Sequence, residues 1–333
     1  MLGRIAVLCT ALSLASVANA ACDLFVPGTS NLQAYVDGLP PNGTLCIDPN
    51  ADVWVYSSVV VPSGITIQAA IPTNDPSAFV IKAAQQLTGP VFITANGSSN
   101  ITFRDIEVIG NGSTNSSNNS SAVGVFLLNT TNAVIDGVWF KNTWRMNAAA
   151  VSSHNVTIEN SRFADMGYDA LAQGAIYISQ VDTASIHDNI VVGRNNGPSG
   201  DGGIDCYQST SVDIFNNNIS NTGESSIYTS GSACPGIAIY NNAITNSNEW
   251  GIDMVNINGA TISGNVVTNS FFAGMVVWDG SNSEVSNNQF YDNNRGGYIP
   301  CQGIAKKGTQ TGMIYKGNTG SPTPIECIYN GKF

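Results

Sequence analysis

Five asparagines at matching positions of a repeated segment constrain the fold of this 333-residue chain more than any other feature. Each lies three residues after an apolar anchor, and a second apolar residue lies five residues after the same anchor. Self-similarity of this kind is typical of proteins built from stacked, similar units. The asparagines are Asn189, Asn217, Asn242, Asn265 and Asn288, and their anchors are Ile186, Ile214, Ile239, Ile262 and Val285.

The repeated segments have the pattern of short β-strands. The apolar pair extends back to the anchors Ile158, Ile135 and Phe103, and successive anchors are 23 to 32 residues apart. A second segment, such as Gly203-Ile-Asp-Cys-Tyr or Gly251-Ile-Asp-Met-Val, precedes most anchors by eleven residues. Apolar residues alternate within these segments, which is the period of a strand. Three short strands per turn predict parallel sheets that close around one narrow core.

The asparagines suit the turns of such a stack. Asparagine tolerates left-handed backbone geometry, and its amide can bond the asparagine of the next turn. The pattern resembles the right-handed parallel β-helix of the pectin-lyase-like superfamily over most of the chain. The resemblance implies that the ladder lies between the second and third strands, that the glycine-led segment is the first strand, and that substrate binds along the first-strand face.

The sequence resembles the superfamily as a whole, but it lacks the motifs of the catalytic subfamilies compared. The polygalacturonase sequences Asn-Thr-Asp, Asp-Asp, Gly-His-Gly and Arg-Ile-Lys are absent. The Asp-Pro-His-Glu of alginate epimerases and the Arg-x-Pro-x-x-Arg of classical pectate lyases are absent too. Because one fold supports many activities, function has to be argued from the site.

The two ends of the chain differ from the repeat. Residues 1–20 combine Arg4, an apolar run and Ala18-Asn-Ala20, which predicts a cleaved signal peptide. Residues 21–333 are then expected to form a single β-helix domain of a secreted, extracellular protein. A short helix over residues 31–38, with Asn31 as its N-cap, is expected to cover the first turn. The tail, residues 301–333, is expected to cover the last one.

Cysteine and asparagine usage agree with secretion. Six cysteines follow the leader, and sequence proximity favours disulfides Cys22–Cys46 and Cys301–Cys327. Cys206 and Cys234 remain, but Cys206 aligns with an inward position and also suits a free core thiol. Ten Asn-x-Ser/Thr sequons predict a glycoprotein, and seven of them lie between Asn96 and Asn129, around the insertion 110–121.

Charge excludes two classes of partner. Without Arg4 the chain has 11 basic against 23 acidic side chains, which disfavours binding to nucleic acid or to anionic membranes. No segment after the leader has the eighteen or more apolar residues of a membrane span. We expect a monomer whose partner is a polysaccharide.

Acidic residues concentrate at two aligned columns of neighbouring turns. Aligning the glycine-led strands places Asp205, Tyr228 and Asp253 at one outward position of three consecutive strands. Strands in a sheet are about 4.8 Å apart, so the two aspartates are expected about 10 Å apart. An inverting glycosidase needs two carboxyl groups at roughly that separation. We therefore predict Asp205 and Asp253 as a catalytic acid and base.

The second column supplies neighbours for this pair. Asp201, Glu224 and Glu249 lie two residues before the three strands, and like-charge repulsion is expected to raise at least one pKa of the group. Asp201 and Glu249 are assigned to support the catalytic pair. The predicted substrate-binding residues are Tyr228, Glu224, Tyr207, Tyr177, Trp250 and Trp278, with Arg145 and Arg295 at either end to hold a substrate carboxylate or to form ion pairs.

Three alternatives remain open at this point. A Ca²⁺ ion at Asp201, Glu224 and Glu249 would suit a lyase or epimerase acting on uronates, with Tyr228 as the base. A non-catalytic, glycan-binding wall protein and an enzyme for a small secreted metabolite are the other two. No cofactor is required by the leading hypothesis. His154 and His187 give little support for a histidine mechanism, because His187 is expected to face solvent away from the groove.

Overall fold

The described part of the chain is a stack of parallel strands. The protein's structure is a computed structural model, which describes residues 22–112, 123–165, 173–194, 202–230 and 234–331. The predicted leader, Asp201 and most of the insertion 110–121 lie outside these ranges. Within them, one sheet of 11 strands and one of 22 strands wind around a common core, and all of their pairings are parallel. This confirms the predicted parallel β-helix.

The 11-stranded sheet, called the first sheet below, contains the glycine-led strands. Glycine is needed at their start because successive turns approach closely there: a Cβ on Gly203 would lie 2.1 Å from the main-chain oxygen of Ser226. The strands are Val59–Val61, Phe92–Thr94, Val123–Leu128, Met146–Val151, Ile176–Ser179, Ile204–Tyr207, Ile227–Ser230, Ile252–Val255, Met275–Ser281, Ile304–Thr311 and Glu326–Ile328.

The 22-stranded sheet consists of two columns of paired strands, called the second and third ladders below. The strands Leu24–Thr29 and Thr44–Val55 belong to both. The second ladder contains Thr66–Ala69, Ser99–Arg104, Thr131–Asp136, His154–Glu159, Asp182–His187, Thr210–Phe215, Ala238–Tyr240, Thr261–Ser263, Glu284–Ser286 and Ile314–Lys316. The third contains Val80–Ala83, Glu107–Ile109, Trp139–Lys141, Arg162–Ala164, Ile190–Val192, Asn218–Ser220, Ala243–Thr245, Val266–Thr268, Gln289–Tyr291 and Thr319–Ser321.

The core is a continuous column of aliphatic and phenylalanine side chains. The alternation in each strand points one set of residues inward, and the same residue types stack from turn to turn. Phe140 and Phe163, for example, stack with ring centroids 5.1 Å apart. Helix Leu32–Asp37 covers the N-terminal turn, with the Asn31 side chain accepting the Ala34 N–H, as predicted. A short 3-10 helix, Pro76–Ala78, is the other helical element of the described residues.

The predicted asparagine ladder is present between the second and third strands, and it extends to Asn318. Each buried amide bonds the next one; Asn217 Nδ2, for example, donates to Asn242 Oδ1 at 3.0 Å. The prediction that these asparagines adopt left-handed geometry is wrong. The left-handed residue is the one before each of them, such as Asn216 (φ 54°) and Asn241 (φ 56°). The preceding residue makes the turn, and this frees the ladder asparagine to point into the stack.

Three disulfides form in the described chain. Cys22–Cys46 and Cys301–Cys327 match the prediction. The suggestion of a free thiol at Cys206 is wrong, because this inward side chain is bonded to Cys234 in the turn before the second-ladder strand. Disulfides are typical of proteins that work outside the cytosol.

Removing the Cys206–Cys234 disulfide is expected to lower stability substantially. The cysteines are 28 residues apart, a loop for which chain entropy predicts a loss of about 3 to 4 kcal/mol in Cys206→Ala/Cys234→Ala. Thermal or denaturant unfolding measures the change. Cys22→Ala/Cys46→Ala, with a separation of 24 residues, is a matched variant expected to cost a similar amount. A Cys206/Cys234 variant that melts like the parent contradicts the disulfide.

Candidate active site

The first sheet brings the predicted catalytic pair into register. Strand Ile204–Tyr207 pairs with Ile227–Ser230, which pairs with Ile252–Val255, and these pairings place Asp205 opposite Tyr228 and Tyr228 opposite Asp253. Gly203 and Gly251 therefore begin strands separated by a single intervening strand. The two aspartates are two strand spacings apart, about 10 Å between their Cα atoms.

A cleft of about 230 Å³ opens at this position. Its lining is almost entirely polar and includes one residue that the sequence did not single out, Ser225. The lining residues are Asp205, Glu224, Ser225, Tyr228, Glu249 and Asp253.

Asp253 is the most deeply buried of these acids, with 8% of its surface exposed. Burial raises its pKa to about 7; repulsion from Glu249 adds to the rise, and the neighbouring Trp278 indole offsets part of it. Its Oδ1 atom is buried and has no hydrogen-bond partner in the described chain. The Asp253 residue also lines the cleft, where its carboxyl group can contact a bound molecule.

Asp205 is held at the other side of Tyr228. Its Oδ2 accepts the Gly174 N–H at 2.8 Å, and burial raises its pKa to about 6 although this hydrogen bond favours the charged form. A Cβ on Gly174 would lie 2.9 Å from Asp205 Oδ1, so only glycine allows the main chain this close to the carboxylate. Gly174 precedes the aligned strand and gave no sequence signal beyond being a glycine.

Glu249 lies beside the pair, in the turn before strand Ile252–Val255. Its Oε2 accepts the Ser225 hydroxyl at 3.4 Å, and burial raises its pKa. The predicted cause of the raised pKa values, like-charge repulsion, is secondary: desolvation is the largest cause for Asp205, Glu249 and Asp253, and among the described residues repulsion adds to it at Asp253. Asp201 lies outside the described residues, so its support of the pair stays a prediction.

The predicted aromatic platforms separate into two groups. Trp250 is wrong as a platform, because it is 3% exposed and packs against Phe272 and Tyr329. Tyr177 is half-buried and lies opposite Asp205 in the preceding strand. Tyr207, at the end of its strand, and Trp278, in the middle of strand Met275–Ser281, are also half-buried. These three flank the cleft without lining it.

The two arginines do not lie in the cleft lining. Arg295 donates to the main-chain oxygens of Asn269 and Ser247, at 2.8 and 3.2 Å, rather than to a carboxylate. The ion pair predicted for it is therefore wrong, and its guanidinium fixes neighbouring turns instead. Arg145 immediately precedes the strand Met146–Val151, two strands before that of Asp205.

Comparisons with known proteins place the chain in a family. The family described as "Periplasmic copper-binding protein (NosD)" matches residues 50–252, more than half of the chain. The chain belongs to the NosD family. A right-handed β-helix region matches residues 194–321, so the NosD match and this region together run through the candidate site. Among curated proteins no sequence matches.

Solved structures similar to this NosD-family chain share its fold at low identity. The Dettilon tailspike protein gp208 has a TM-score of 0.69 and 14% identity, over 87% of this chain. This chain covers 58% of that tailspike. Endo-xylogalacturonan hydrolase from Aspergillus tubingensis has a TM-score of 0.68 and 13% identity, over 87% of this chain and 88% of the hydrolase. The A-module of the Azotobacter vinelandii mannuronan C-5 epimerase AlgE6 has a TM-score of 0.57 and 14% identity. The match covers 88% of this chain and 94% of the A-module. These likenesses confirm the right-handed β-helix of the pectin-lyase-like proteins.

The copper named in the NosD description does not fit the histidine and cysteine donors of the described residues. Copper favours imidazole, thiolate and thioether ligands. The two histidines lie on different strands, and each contacts a carboxylate: His154 contacts Asp182, and His187 contacts Glu159. The six described cysteines are in disulfides. In the described ranges no group of three or more His, Cys, Asp or Glu side chains could hold a metal ion. Calcium at Asp201, Glu224 and Glu249 stays a prediction, because Asp201 lies outside those ranges.

His187 also corrects an expectation about solvent. Its side chain is 18% exposed rather than facing solvent, because it stacks on Phe215 with ring centroids 4.6 Å apart and contacts Glu159 and Asp188. It lies on the second ladder, away from the cleft, as predicted.

No described helix is long and apolar enough to cross a membrane.

Proposed function

We propose that this protein is a secreted enzyme that hydrolyses glycosidic bonds of a polysaccharide, with Asp253 as general acid and Asp205 as general base. The observation that carries the proposal is the pair of carboxyl groups in one cleft, two strands apart, one buried and one half-buried, with pKa values raised to about 7 and about 6. Unequal pKa values in one site are typical of an acid and a base that work together.

The reaction follows from the two protonation states. Asp253 donates its proton to the glycosidic oxygen as the bond from that oxygen to the anomeric carbon breaks. Asp205 accepts a proton from a water molecule whose oxygen attacks the same carbon from the opposite face. A separation of about 10 Å between the Cα atoms leaves room for that water, so the proposed outcome is inversion at the anomeric carbon.

The neighbouring residues prepare the pair for these roles. The Gly174 N–H fixes one oxygen of Asp205 and favours its charged form, as a base requires. Glu249 disfavours ionisation of Asp253, as an acid requires. The similar folds of a xylogalacturonan hydrolase and a mannuronan epimerase support a carbohydrate substrate. The three disulfides support a location outside the cytosol.

The pH dependence of hydrolysis tests the proposal. Asp205 has to be ionised and Asp253 protonated, so the rate of reducing-end release is expected to be bell-shaped, with limbs near pH 6 and pH 7. Glu249→Gln removes the repulsion on Asp253 and is expected to move the upper limb to lower pH while leaving the lower limb in place. The assay uses a panel of neutral and uronic polysaccharides. Absence of cleavage across the panel, or products with the ultraviolet absorbance of an unsaturated sugar, contradicts hydrolysis.

A further inference from the structure

We infer that the cleft accepts a sugar unit without a carboxylate, so that the substrate is a neutral glycan rather than a polyuronate. The inference rests on the proposed function and concerns the unit bound between Asp205 and Asp253. It is carried by the charges and hydrogen-bond donors that surround these carboxyl groups. It also separates this chain from the xylogalacturonan and mannuronan enzymes that share its fold.

The described donors to two of the cleft acids are neutral. Asp205 accepts a main-chain N–H from Gly174, and Glu249 accepts a hydroxyl from Ser225. Where a protein binds an anionic sugar beside its own acids, a lysine or arginine is expected to offset the charge. Within the described chain, the cleft lining contains no lysine, arginine or histidine.

Two cations on neighbouring turns, Lys307 and Arg295, are held by other contacts. Lys307 lies above the Trp278 ring at 3.7 Å from its centroid and donates to the Gly331 carbonyl at 2.9 Å. Arg295 is bonded to turn carbonyls and to Asn248 Oδ1. These contacts hold both side chains to the protein surface, so neither is placed to pair with a carboxylate in the cleft.

A neutral sugar can form hydrogen bonds with the acids of the cleft. The carboxyl groups of Asp205 and Asp253 line it, and a hydroxyl or the glycosidic oxygen of a sugar can bond either of them. A uronate carboxylate bound between these two residues would share the cleft with Asp205 and Glu249 and would be repelled by them. Like-charge contacts at a desolvated interface cost enough to reduce affinity tenfold or more.

Matched substrates test this directly. Each polyuronate of a panel (polygalacturonate, mannuronan and glucuronan) is compared with its carboxyl-reduced form, which keeps the backbone and linkage and removes the charge. Initial rates are measured between pH 6 and 7. We expect the neutral partner of a cleaved pair to have a kcat/KM at least ~10-fold higher, since like-charge repulsion acts only on the uronate. Equal or faster cleavage of the uronate overturns the inference.

A second measurement separates this inference from the proposed function. Glu249→Gln removes one negative charge, and added salt screens the rest, so both are expected to narrow the ratio between neutral and uronate substrates. A ratio that neither treatment changes contradicts an electrostatic origin. If the parent protein cleaves a uronate at least as fast as its neutral partner and Asp253→Asn loses that cleavage, the proposed function stands and only the inference is contradicted. No cleavage of any pair, or of further neutral glycans, removes the proposed function itself.

Discussion

Asp253→Asn is expected to abolish hydrolysis and, at the same time, to stabilise the folded protein at pH 8. The amide cannot donate the proton that the glycosidic oxygen requires, so kcat is expected to fall by about 10²- to 10⁴-fold. Asp205→Asn is expected to produce a loss of similar size by removing the base. Reducing-end release on a cleaved substrate measures both.

The gain in stability follows from the direction of the pKa shift. The pKa of Asp253 is raised from 3.8 to about 7 on folding, so the folded state binds its proton more tightly than the unfolded state does. The contribution of this proton to stability is fully present below pH 3.8 and is lost as the pH rises through about 7. At pH 8 the buried charge therefore costs on the order of a few kcal/mol, which Asn removes.

The expected pattern distinguishes a catalytic acid from a structural one. The melting temperature of Asp253→Asn is expected to exceed that of the parent at pH 8 and to approach it at pH 4. Asp213→Asn, at an exposed position of the second ladder, is the control and is expected to change neither activity nor melting. An Asp253→Asn protein that retains the parent rate, or that unfolds more readily at pH 8, contradicts the assignment.

Asn242→Ala is expected to destabilise the β-helix by about 3 to 5 kcal/mol. The Asn242 amide donates to the Ile214 carbonyl and to Asn265 Oδ1, both at 2.9 Å. Its oxygen accepts from the main-chain N–H and the side chain of Asn217, both at 3.0 Å. Alanine leaves a buried N–H and a buried carbonyl without partners, and each such group costs about 1 to 3 kcal/mol.

Denaturant unfolding measures this loss, and an exposed asparagine provides the control. Asn218 follows the ladder residue Asn217 but points to solvent, so Asn218→Ala is expected to change stability by less than about 0.5 kcal/mol. Asn242→Asp keeps the size of the side chain but removes its two donors, and it is expected to be destabilising as well. Equal unfolding of Asn242→Ala and Asn218→Ala contradicts a structural role for the ladder.

Much of the candidate site could be predicted because in-register stacking converts sequence offsets into neighbours. The offset of each aspartate from its leading glycine placed Asp205, Tyr228 and Asp253 side by side, and the pairings agree. The same offsets predicted the asparagine ladder. They could not assign the left-handed residue, since two adjacent asparagines such as Asn216 and Asn217 both suit a turn.

The residues that were misassigned lie in turns or depend on distant contacts. The sequence predicted Trp250 as an exposed platform, but Tyr329, 79 residues later in the chain, packs against it. Cys206 resembled an ordinary core residue, and only the path of the following turn brings Cys234 to it. The roles of Gly174 and Ser225 depend on main-chain and hydroxyl directions that residue identity does not specify.

The sequence by itself determined the solenoid, its register and the alignment of two acids on alternate strands, because a period of apolar and asparagine positions permits one stacking. The tertiary structure alone decided how deeply those acids are buried and which neutral groups hold them. Burial depends on the packing around each side chain, which residue identity does not specify, and desolvation by burial is the largest cause of the two raised pKa values.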